Sequence, residues 1–353
     1  MSADVLVVGT GLIGASLGLA LHGTADVLLA DADPAALDVA VARGAGRRWD
    51  GAELVRTAVV CTPPPAVAAE VGRLQSLGVA RTYTHVCSVQ AAVQADLVAA
   101  GCRTASVCGG HPMAGRERSG PGAATAELFA GRPWVLCPGP DTADRALADV
   151  EELARGTGAE PVRLTPEDHD AAVALVSHLP QLAASALAAQ LPRGGRAAAA
   201  LSGPGLQDST RIAGSDPALW RDVLRLNAVN LEPLVRALAQ DLWAAADALA
   251  APDPDAVVEL LQRGVAGRAL VPVKRGERDA AFVGVAVGLS DRPGQLGGLF
   301  ATVGAAGVNV EDVRVDHVPG RPTGVITLSV RADARAHLEG ALRDAGWDVV
   351  GPS

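Results

Sequence analysis

The chain has 353 residues, a length that predicts two or three domains rather than one. Its 30 basic and 39 acidic residues give a net charge of −9 at pH 7, which argues against nucleic acid or an anionic membrane as a partner. The sequence has no uninterrupted apolar run of about eighteen residues and begins without a basic, cleavable leader, so we expect a cytoplasmic protein.

Residues 1–164 alternate short apolar runs with Ala- and Leu-rich helical stretches. This rhythm predicts an α/β domain of the Rossmann type, with a doubly wound parallel sheet that binds a dinucleotide. The predicted strands are Val5–Val8, Val27–Ala30, Val59–Cys61, Thr84–Cys87, Ser106–Cys108 and Trp134–Cys137.

Residues 165–273 lose the strand signal and carry a helical period, which predicts an all-α domain. Much of this segment is apolar on several helix faces, so we expect a dimerisation domain and a homodimer. The only lysine, Lys274, follows in a predicted linker.

Residues 280–353 alternate in the order βαββαβ, which predicts a third, ferredoxin-like domain. Its predicted segments are Phe282–Leu289, Gly294–Ala306, Val308–Val315, Val325–Val330, Ala332–Ala345 and Trp347–Val350.

The five cysteines lie among apolar neighbours without Cys-x-x-Cys spacing, so we expect reduced core thiols and no metal site. They are Cys61, Cys87, Cys102, Cys108 and Cys137.

A Gly-x-Gly-x-x-Gly fingerprint links the first predicted strand to the first helix: Gly9-Thr10-Gly11-Leu12-Ile13-Gly14. The glycines permit a tight turn, the approach of a pyrophosphate and close helix–strand contact. Asp31, at the end of the second strand, would accept hydrogen bonds from the adenosine ribose and repel a 2′-phosphate, so NAD is favoured over NADP. Thr62 and Pro63 follow another strand end, where a cofactor contact and a plain proline turn are equally compatible with the sequence.

Five polar or aromatic side chains are candidates for the chemical site. His111 stands in Gly109-Gly110-His111-Pro112-Met113-Ala114-Gly115, where its imidazole would act as a base near neutral pH. Taken singly, the other four have ordinary structural explanations, such as a cap, a core histidine or a solvated arginine. They are Ser88, His178, Arg211 and Trp220.

As a set, these segments resemble the prephenate dehydrogenase family of tyrosine biosynthesis, in the bacterial form with a C-terminal ACT domain. The resemblance covers nearly the whole chain, including Asp291-Arg292-Pro293-Gly294-Gln295-Leu296 and Gly307-Val308-Asn309-Val310. It implies NAD-dependent oxidation and decarboxylation of prephenate, a ring alcohol with two carboxylates, to 4-hydroxyphenylpyruvate.

The resemblance also implies a role for each candidate. His111 matches the general base, and Ser88 a serine that hydrogen-bonds both the base and the substrate hydroxyl. Arg211 matches the arginine that clamps a substrate carboxylate. His178 would assist in carboxylate binding, and Trp220 would wall the pocket.

The chain departs from the family's Asp-x-x-Ser-x-Lys pattern, because His85 and Gln90 flank Ser88. A neutral Gln90 in the substrate site would repel an ammonium group less than lysine does. The alternatives to prephenate are therefore 4-amino-4-deoxyprephenate, of natural-product pathways, and arogenate.

The ACT resemblance implies an amino acid effector, with tyrosine the first candidate; a purely structural dimerisation module is the alternative. The effector-binding residues would be Asp291, Pro293, Gly294, Gln295, Leu296 and Asn309.

Two other readings remain open. A β-hydroxyacid dehydrogenase also joins a dinucleotide domain to a helical one, but it relies on a helix-borne lysine, and residues 166–250 contain none. A ligand sensor without turnover would have no need of His111, Ser88 and Arg211.

Overall fold

The structure is a computed structural model and describes residues 3–116, 118–250, 255–271, 282–290, 292–317 and 323–350. The chain divides into two compact units, Met1–Trp243 and Ala244–Ser353. Each unit is built around its own sheet.

The first unit contains an eight-stranded sheet with the order β3-β2-β1-β4-β5-β6-β7-β8. Neighbouring strands are parallel except β6 and β7, which are antiparallel. The six predicted strands are confirmed, and β3 and β8 are added at the two edges. The strands are β1 (Ala3–Val8), β2 (Val27–Ala30), β3 (Arg47–Arg48), β4 (Val55–Val60), β5 (Ala80–His85), β6 (Val107–Pro112), β7 (Pro133–Pro138) and β8 (Glu160–Arg163).

Helices connect the strands, and both faces of the sheet are buried. Successive residues of a strand point to opposite faces, and Val5 and Val7 accordingly belong to one apolar cluster while Leu6 and Val8 belong to another. Helix starts are encoded locally; Asp33, for example, accepts a hydrogen bond from the backbone N–H of Ala35, ahead of a proline. The helices are α1 (Leu12–Ala20), α2 (Pro34–Ala42), α3 (Pro64–Leu77), α4 (Ala91–Ala99) and α5 (Asp144–Gly156).

The chain then becomes helical, as predicted, within the described residues up to 271. Helix α6 packs against α4 and β7, so the predicted first and second domains share one compact unit up to Trp243. A π-helical turn, Ala174–His178, separates α6 from α7. The helices are α6 (Pro166–Val173), α7 (Leu179–Ala188), α8 (Gly195–Ala200), α9 (Pro204–Thr210), α10 (Pro217–Leu226), α11 (Ala228–Ala250) and α12 (Asp255–Ala269).

One helical stretch in the described chain, Pro166–Ala200, is long and apolar enough by composition to cross a membrane. Only 28% of its most apolar window is buried. Length and composition alone do not separate a membrane span from a helix covered by another protein surface. This stretch also contains buried polar side chains at His169, Asp170 and His178, which belong to the site described below.

The second unit contains a four-stranded antiparallel sheet with the order β10-β11-β9-β12. The predicted order βαββαβ is confirmed, although β10 begins four residues later than predicted, at Asp312 rather than Val308. The predicted linker lysine, Lys274, lies outside the described residues. The elements are β9 (Phe282–Ser290), α13 (Gln295–Ala305), β10 (Asp312–His317), β11 (Thr323–Arg331), α14 (Arg335–Asp344) and β12 (Asp348–Val350).

Candidate active site

The fingerprint glycines meet three different spatial requirements at the end of β1. Gly9 has a φ of +97°, and a Cβ on Gly14 would lie 1.9 Å from the carbonyl oxygen of Gly9. A Cβ on Gly11 would meet nothing within 4 Å, at a position where no side chain caps the N-terminus of α1. Leu12 and Ile13 form the first turn of that helix. The loop therefore has an open space over the free N–H groups of α1, which suits a pyrophosphate.

Asp31 lies at the next strand end and is tied to the same loop. Its Oδ2 accepts hydrogen bonds from the backbone N–H and, at 2.7 Å, from the hydroxyl of Thr10, and its Oδ1 accepts from the N–H of Asp33 at 2.8 Å. Burial raises the pKa of Asp31, but these hydrogen bonds outweigh it and leave the pKa below its usual value. The carboxylate is therefore ionised and oriented for a ribose.

Thr62 and Pro63 form the loop between β4 and α3. The Thr62 hydroxyl is buried without a hydrogen-bond partner among the described residues, whereas Pro63 is exposed at the helix start. The Thr62 backbone lies against Gly9, so its orphaned hydroxyl borders the fingerprint loop. An unpartnered buried hydroxyl at this edge fits a bound dinucleotide.

His111 stands on β6, which continues beyond the predicted strand end at Cys108 because β7 pairs with it. Its Nδ1 lies 2.8 Å from Nε2 of His169, and the two rings meet edge to face. Nδ1 of His169 in turn lies 2.7 Å from Oδ1 of Asp170. The candidate base thus heads a chain of three polar side chains.

Asp170 forms hydrogen bonds both with His169 and with the N-terminus of helix α4. Its two carboxylate oxygens accept the backbone N–H groups of Gln90 and Ala91, at 2.8 and 2.9 Å, at the N-terminus of that helix. His169 and Asp170 were missed in the sequence, where they follow a proline in an acidic helix start. The one feature of the sequence that could have indicated them is that His169 is a second histidine, in the helix that precedes His178.

His178 lies beside Asn227 and Trp220. Nδ1 of His178 is 3.1 Å from the Asn227 amide nitrogen, which also donates to the backbone oxygen of Asp170, and its ring meets Trp220 edge to face at 5.9 Å. The amide is a donor, so Nδ1 accepts and Nε2 carries the hydrogen. That Nε2 is buried and has no partner among the described residues. An unsatisfied N–H of this kind is available to an acceptor on a ligand.

Burial sets the charge of the site histidines. The pKa of His111 is lowered to about 3, chiefly by burial and additionally by the neighbouring His169, His178 and His85. Burial also lowers the pKa of His178 to about 4, with Asp170 opposing the shift and His169 adding to it. The pKa of His111 is therefore lower than the ordinary imidazole value near 6.5 that the sequence analysis assumed. The imidazoles of His111 and His178 are both neutral at pH 7.

Gln90 and His85 replace a lysine and an aspartate of the family pattern. Gln90 is 2% exposed, and its amide donates to the backbone oxygens of Cys87, at 2.6 Å, and Gly110, at 3.1 Å. These bonds tie the loop after β5 to β6 and occupy both amide hydrogens, so they do not support the predicted contact of Gln90 with substrate. His85 is 1% exposed, and burial lowers its pKa to about 4.

Ser88 and Arg211 are placed by different elements. His85 on β5 is in register with Gly109 on β6, so Ser88 and His111 follow at the same edge of the sheet. The Ser88 hydroxyl is partly buried and makes no hydrogen bond to another described residue. Arg211 is exposed and begins a 3₁₀ turn that packs on α7, the helix following His178.

The predicted effector residues lie in the second unit. A cavity of about 350 Å³ there is lined by Pro293, Gly294 and Leu296, together with Arg292. Gln295 begins α13, and Asp291 lies outside the described residues. Asn309 is not among the lining residues; its amide donates to Glu311 at 2.6 Å.

Comparison with known proteins agrees with this geometry. Residues 17–163 match the family model "Prephenate dehydrogenase, nucleotide-binding domain", and residues 165–263 match "Prephenate dehydrogenase, dimerization domain". The chain is 39% identical over 355 residues to the probable prephenate dehydrogenase NovF of Streptomyces niveus, an alignment covering 97% of this chain and 98% of that protein. It is 27% identical over 352 residues to prephenate dehydrogenase of Bacillus subtilis, covering 94% and 93%.

Solved structures give the same result. Prephenate dehydrogenase from Aquifex aeolicus, crystallised with hydroxyphenyl propionate and NAD⁺, superposes with a TM-score of 0.67 and 26% identity, over 76% of this chain and 98% of that one. Arogenate dehydrogenase from Synechocystis superposes with a TM-score of 0.63 and 27% identity, over 75% and 98%. The chain belongs to the prephenate dehydrogenase family and is an NAD-dependent oxidoreductase.

Proposed function

We propose that the chain oxidises and decarboxylates prephenate to 4-hydroxyphenylpyruvate in tyrosine biosynthesis. The observation that carries this proposal is a neutral imidazole, His111, at the edge of the sheet where the dinucleotide loop also lies. His178 adds a buried, unpartnered N–H donor. Such a site suits an alcohol that carries carboxylates.

The residues divide the work as follows. NAD⁺ supplies the hydride acceptor. His111 takes the proton of the ring hydroxyl while the hydride leaves the same carbon, and Ser88 orients that hydroxyl. Loss of the ring carboxylate as CO₂ leaves its bonding electron pair in the ring, which becomes aromatic and takes a proton back on oxygen. Arg211 clamps a carboxylate of the substrate, and His178 donates its Nε2–H to a carboxylate.

4-Amino-4-deoxyprephenate is a second candidate substrate, supported by the charge of the site. Position 90 carries an uncharged, buried glutamine, and His111, His178 and His85 all have lowered pKa values and are neutral at pH 7. An ammonium on the ring would therefore meet neither a charged His111, His178 or His85 nor a lysine at position 90. Arogenate, which carries an ammonium on its side chain, is a third candidate.

The test is turnover by the purified protein with NAD⁺ and each of the three substrates, measured by nicotinamide absorbance and by chromatography of the product. We expect the largest kcat/KM with prephenate. A His111→Asn variant should bind NAD⁺ normally and lose at least about 100-fold in kcat. Absence of NADH formation with prephenate would refute the proposal. A larger kcat/KM with 4-amino-4-deoxyprephenate would identify that compound, rather than prephenate, as the substrate.

We further propose that residues 280–353, within the second unit, form an ACT-type, ferredoxin-like domain that binds tyrosine. Its strand order and the cavity beside Pro293, Gly294 and Leu296 support this assignment. Titration calorimetry with tyrosine should detect binding, and added tyrosine should change the rate of substrate oxidation. A purely structural module would give neither signal.

A homodimer is also proposed for the helical segment. Leu201, Val229 and Trp243 are 85%, 82% and 71% exposed in the single chain, and the segment matches a dimerization domain. Apolar surface of this extent is usually covered in a subunit interface. Light scattering after size exclusion should give twice the chain's mass of 35.6 kDa; a monomer at micromolar concentration would contradict the proposal.

A further inference from the structure

A continuous hydrogen-bonded chain runs from the proposed base into the protein interior. Nδ1 of His111 lies 2.8 Å from Nε2 of His169, and Nδ1 of His169 lies 2.7 Å from Oδ1 of Asp170. His169 and Asp170 are 0% and 2% exposed, whereas His111 is only partly buried. This series of hydrogen bonds therefore begins at the candidate active site and ends at side chains that are buried from water.

The Asp170 carboxylate determines the direction of these hydrogen bonds. Its two oxygens accept the backbone N–H groups of Gln90 and Ala91 at the N-terminus of α4, so both oxygens act as acceptors. An ionised carboxylate only accepts, so Nδ1 of His169 carries the hydrogen and its Nε2 accepts. His111 must then donate through Nδ1, which leaves the lone pair on its Nε2.

We propose that His169, backed by Asp170, is a positioning residue that makes Nε2 of His111 the proton-accepting atom. The proposal rests on the role of His111 as the base in the proposed function. When the hydroxyl proton moves to Nε2, the electron pair of the O–H bond forms the ring C=O while the hydride leaves the same carbon, and His111 becomes an imidazolium that still donates Nδ1–H to His169. This hydrogen bond strengthens as the charge appears, so it stabilises the transition state more than the ground state.

A substrate-free measurement tests the tautomer directly. Two-bond ¹H–¹⁵N spectra of the full chain labelled at histidine distinguish the two tautomers of a neutral imidazole, and a His111→Asn variant assigns the signals. We expect His111 in the Nδ1–H form between pH 6 and 8. Finding the Nε2–H form in the unaltered protein would overturn the proposal, whatever the substrate proves to be.

Two variants of His169 distinguish the effect of losing its hydrogen bond to His111 from the effect of losing side-chain volume. The amide of Asn reaches the position of Nδ1 and keeps the bond to Asp170 but not the bond to His111. The amide of Gln reaches the position of Nε2 and can accept from His111. We expect His169→Asn to lower kcat at least about 100-fold with KM for NAD⁺ within about threefold, and His169→Gln to recover at least about tenfold of that loss.

The combined outcomes decide the proposal. A mixed His111 tautomer in His169→Asn together with rescue by His169→Gln supports it. A His169→Asn protein that keeps kcat within about threefold of the original overturns it, and so does a loss of kcat with an unchanged tautomer. A His22→Gln variant, altered far along the sequence, controls for general effects of losing a histidine. If the Asn variant does not fold, the spectrum of the unaltered protein still decides the tautomer.

Discussion

Two neighbouring glycines in one loop should respond in opposite ways to the same small change. In Gly11→Ala the new methyl group meets nothing within 4 Å, and the backbone at this position, with φ −66° and ψ −162°, is open to alanine. In Gly14→Ala the methyl would lie 1.9 Å from the backbone oxygen of Gly9, so the backbone has to move. The first substitution should therefore affect the ligand, and the second should affect the fold.

The magnitudes follow from these contacts. Overpacking against backbone costs about 3 kcal/mol, and alanine recovers about 1 kcal/mol in helix propensity, so Gly14→Ala should destabilise the fold by about 2 kcal/mol. At about 2–4 °C per kcal/mol, the melting temperature should fall by roughly 4–8 °C. Gly11→Ala should leave the melting temperature within about 1 °C and weaken NAD⁺ binding at least about tenfold, or about 1.4 kcal/mol.

Thermal melting without ligand and calorimetric titration with NAD⁺ measure the two effects separately. Gly304→Ala is the matched control, because it lies in a helix of the second unit and its methyl group also meets nothing within 4 Å. It should leave NAD⁺ binding unchanged and should keep or slightly raise the melting temperature, because alanine gains up to about 1 kcal/mol in helix propensity there. NAD⁺ binding by Gly11→Ala as tight as that of the original protein, or melting of Gly14→Ala at the original temperature, would contradict these expectations.

Four further predictions use the buried polar groups. Thr62→Val removes an unpartnered hydroxyl, so it should keep or raise the melting temperature while weakening NAD⁺ binding about three- to tenfold by calorimetry. Asn227→Ala frees the ring of His178, so steady-state kinetics should show a higher substrate KM with an unchanged KM for NAD⁺. Because the pKa of His111 is about 3 in the free enzyme, kcat/KM should stay level down to about pH 5, and a fall centred near 6.5 would contradict this. The pKa of His85 is lowered from 6.5 to about 4, so the unfolded chain binds a proton at a higher pH than the folded chain does. The contribution of His85 to the free energy of unfolding should therefore fall by up to about 3 kcal/mol as the pH drops from 6.5 to 4. In pH-dependent melting, His85→Gln should reduce that loss.

Local sequence signals predicted the cofactor loop well because each requirement lies within a few residues. The fingerprint glycines, the strand before them and Asp31 specify a turn, a helix start and a carboxylate without distant partners. The same holds for the strands of both sheets, whose apolar runs are short and bounded by turns. In contrast, β8 is only four residues long with a charged residue at each end, and its pairing with β7 depends on the rest of the sheet.

The interior of the chemical site was not predictable in this way. His169 and His178 are about two and a half turns apart, and would lie on opposite faces of a regular α-helix. The wider π-helical turn at Ala174–His178 changes that phase, and Asn227 then links the ring of His178 to the backbone of Asp170. Neither the turn nor the partner residue leaves a periodic signal in the sequence.

If His111 is the base, as proposed, its low pKa in the free enzyme gives substrate binding a chemical role in addition to placing the substrate. A neutral His111 with a pKa of about 3 remains ready to accept a proton throughout the neutral range, but in that state it is a weak base. A substrate with two carboxylates brings negative charge toward the neutral imidazoles of His111 and His178, and nearby negative charge raises the pKa of an imidazole. The bound complex therefore contains a stronger base than the free enzyme, so the acid limb of kcat should lie at higher pH than that of kcat/KM. Equal limbs in the two profiles would mean that the substrate's charges do not act on His111.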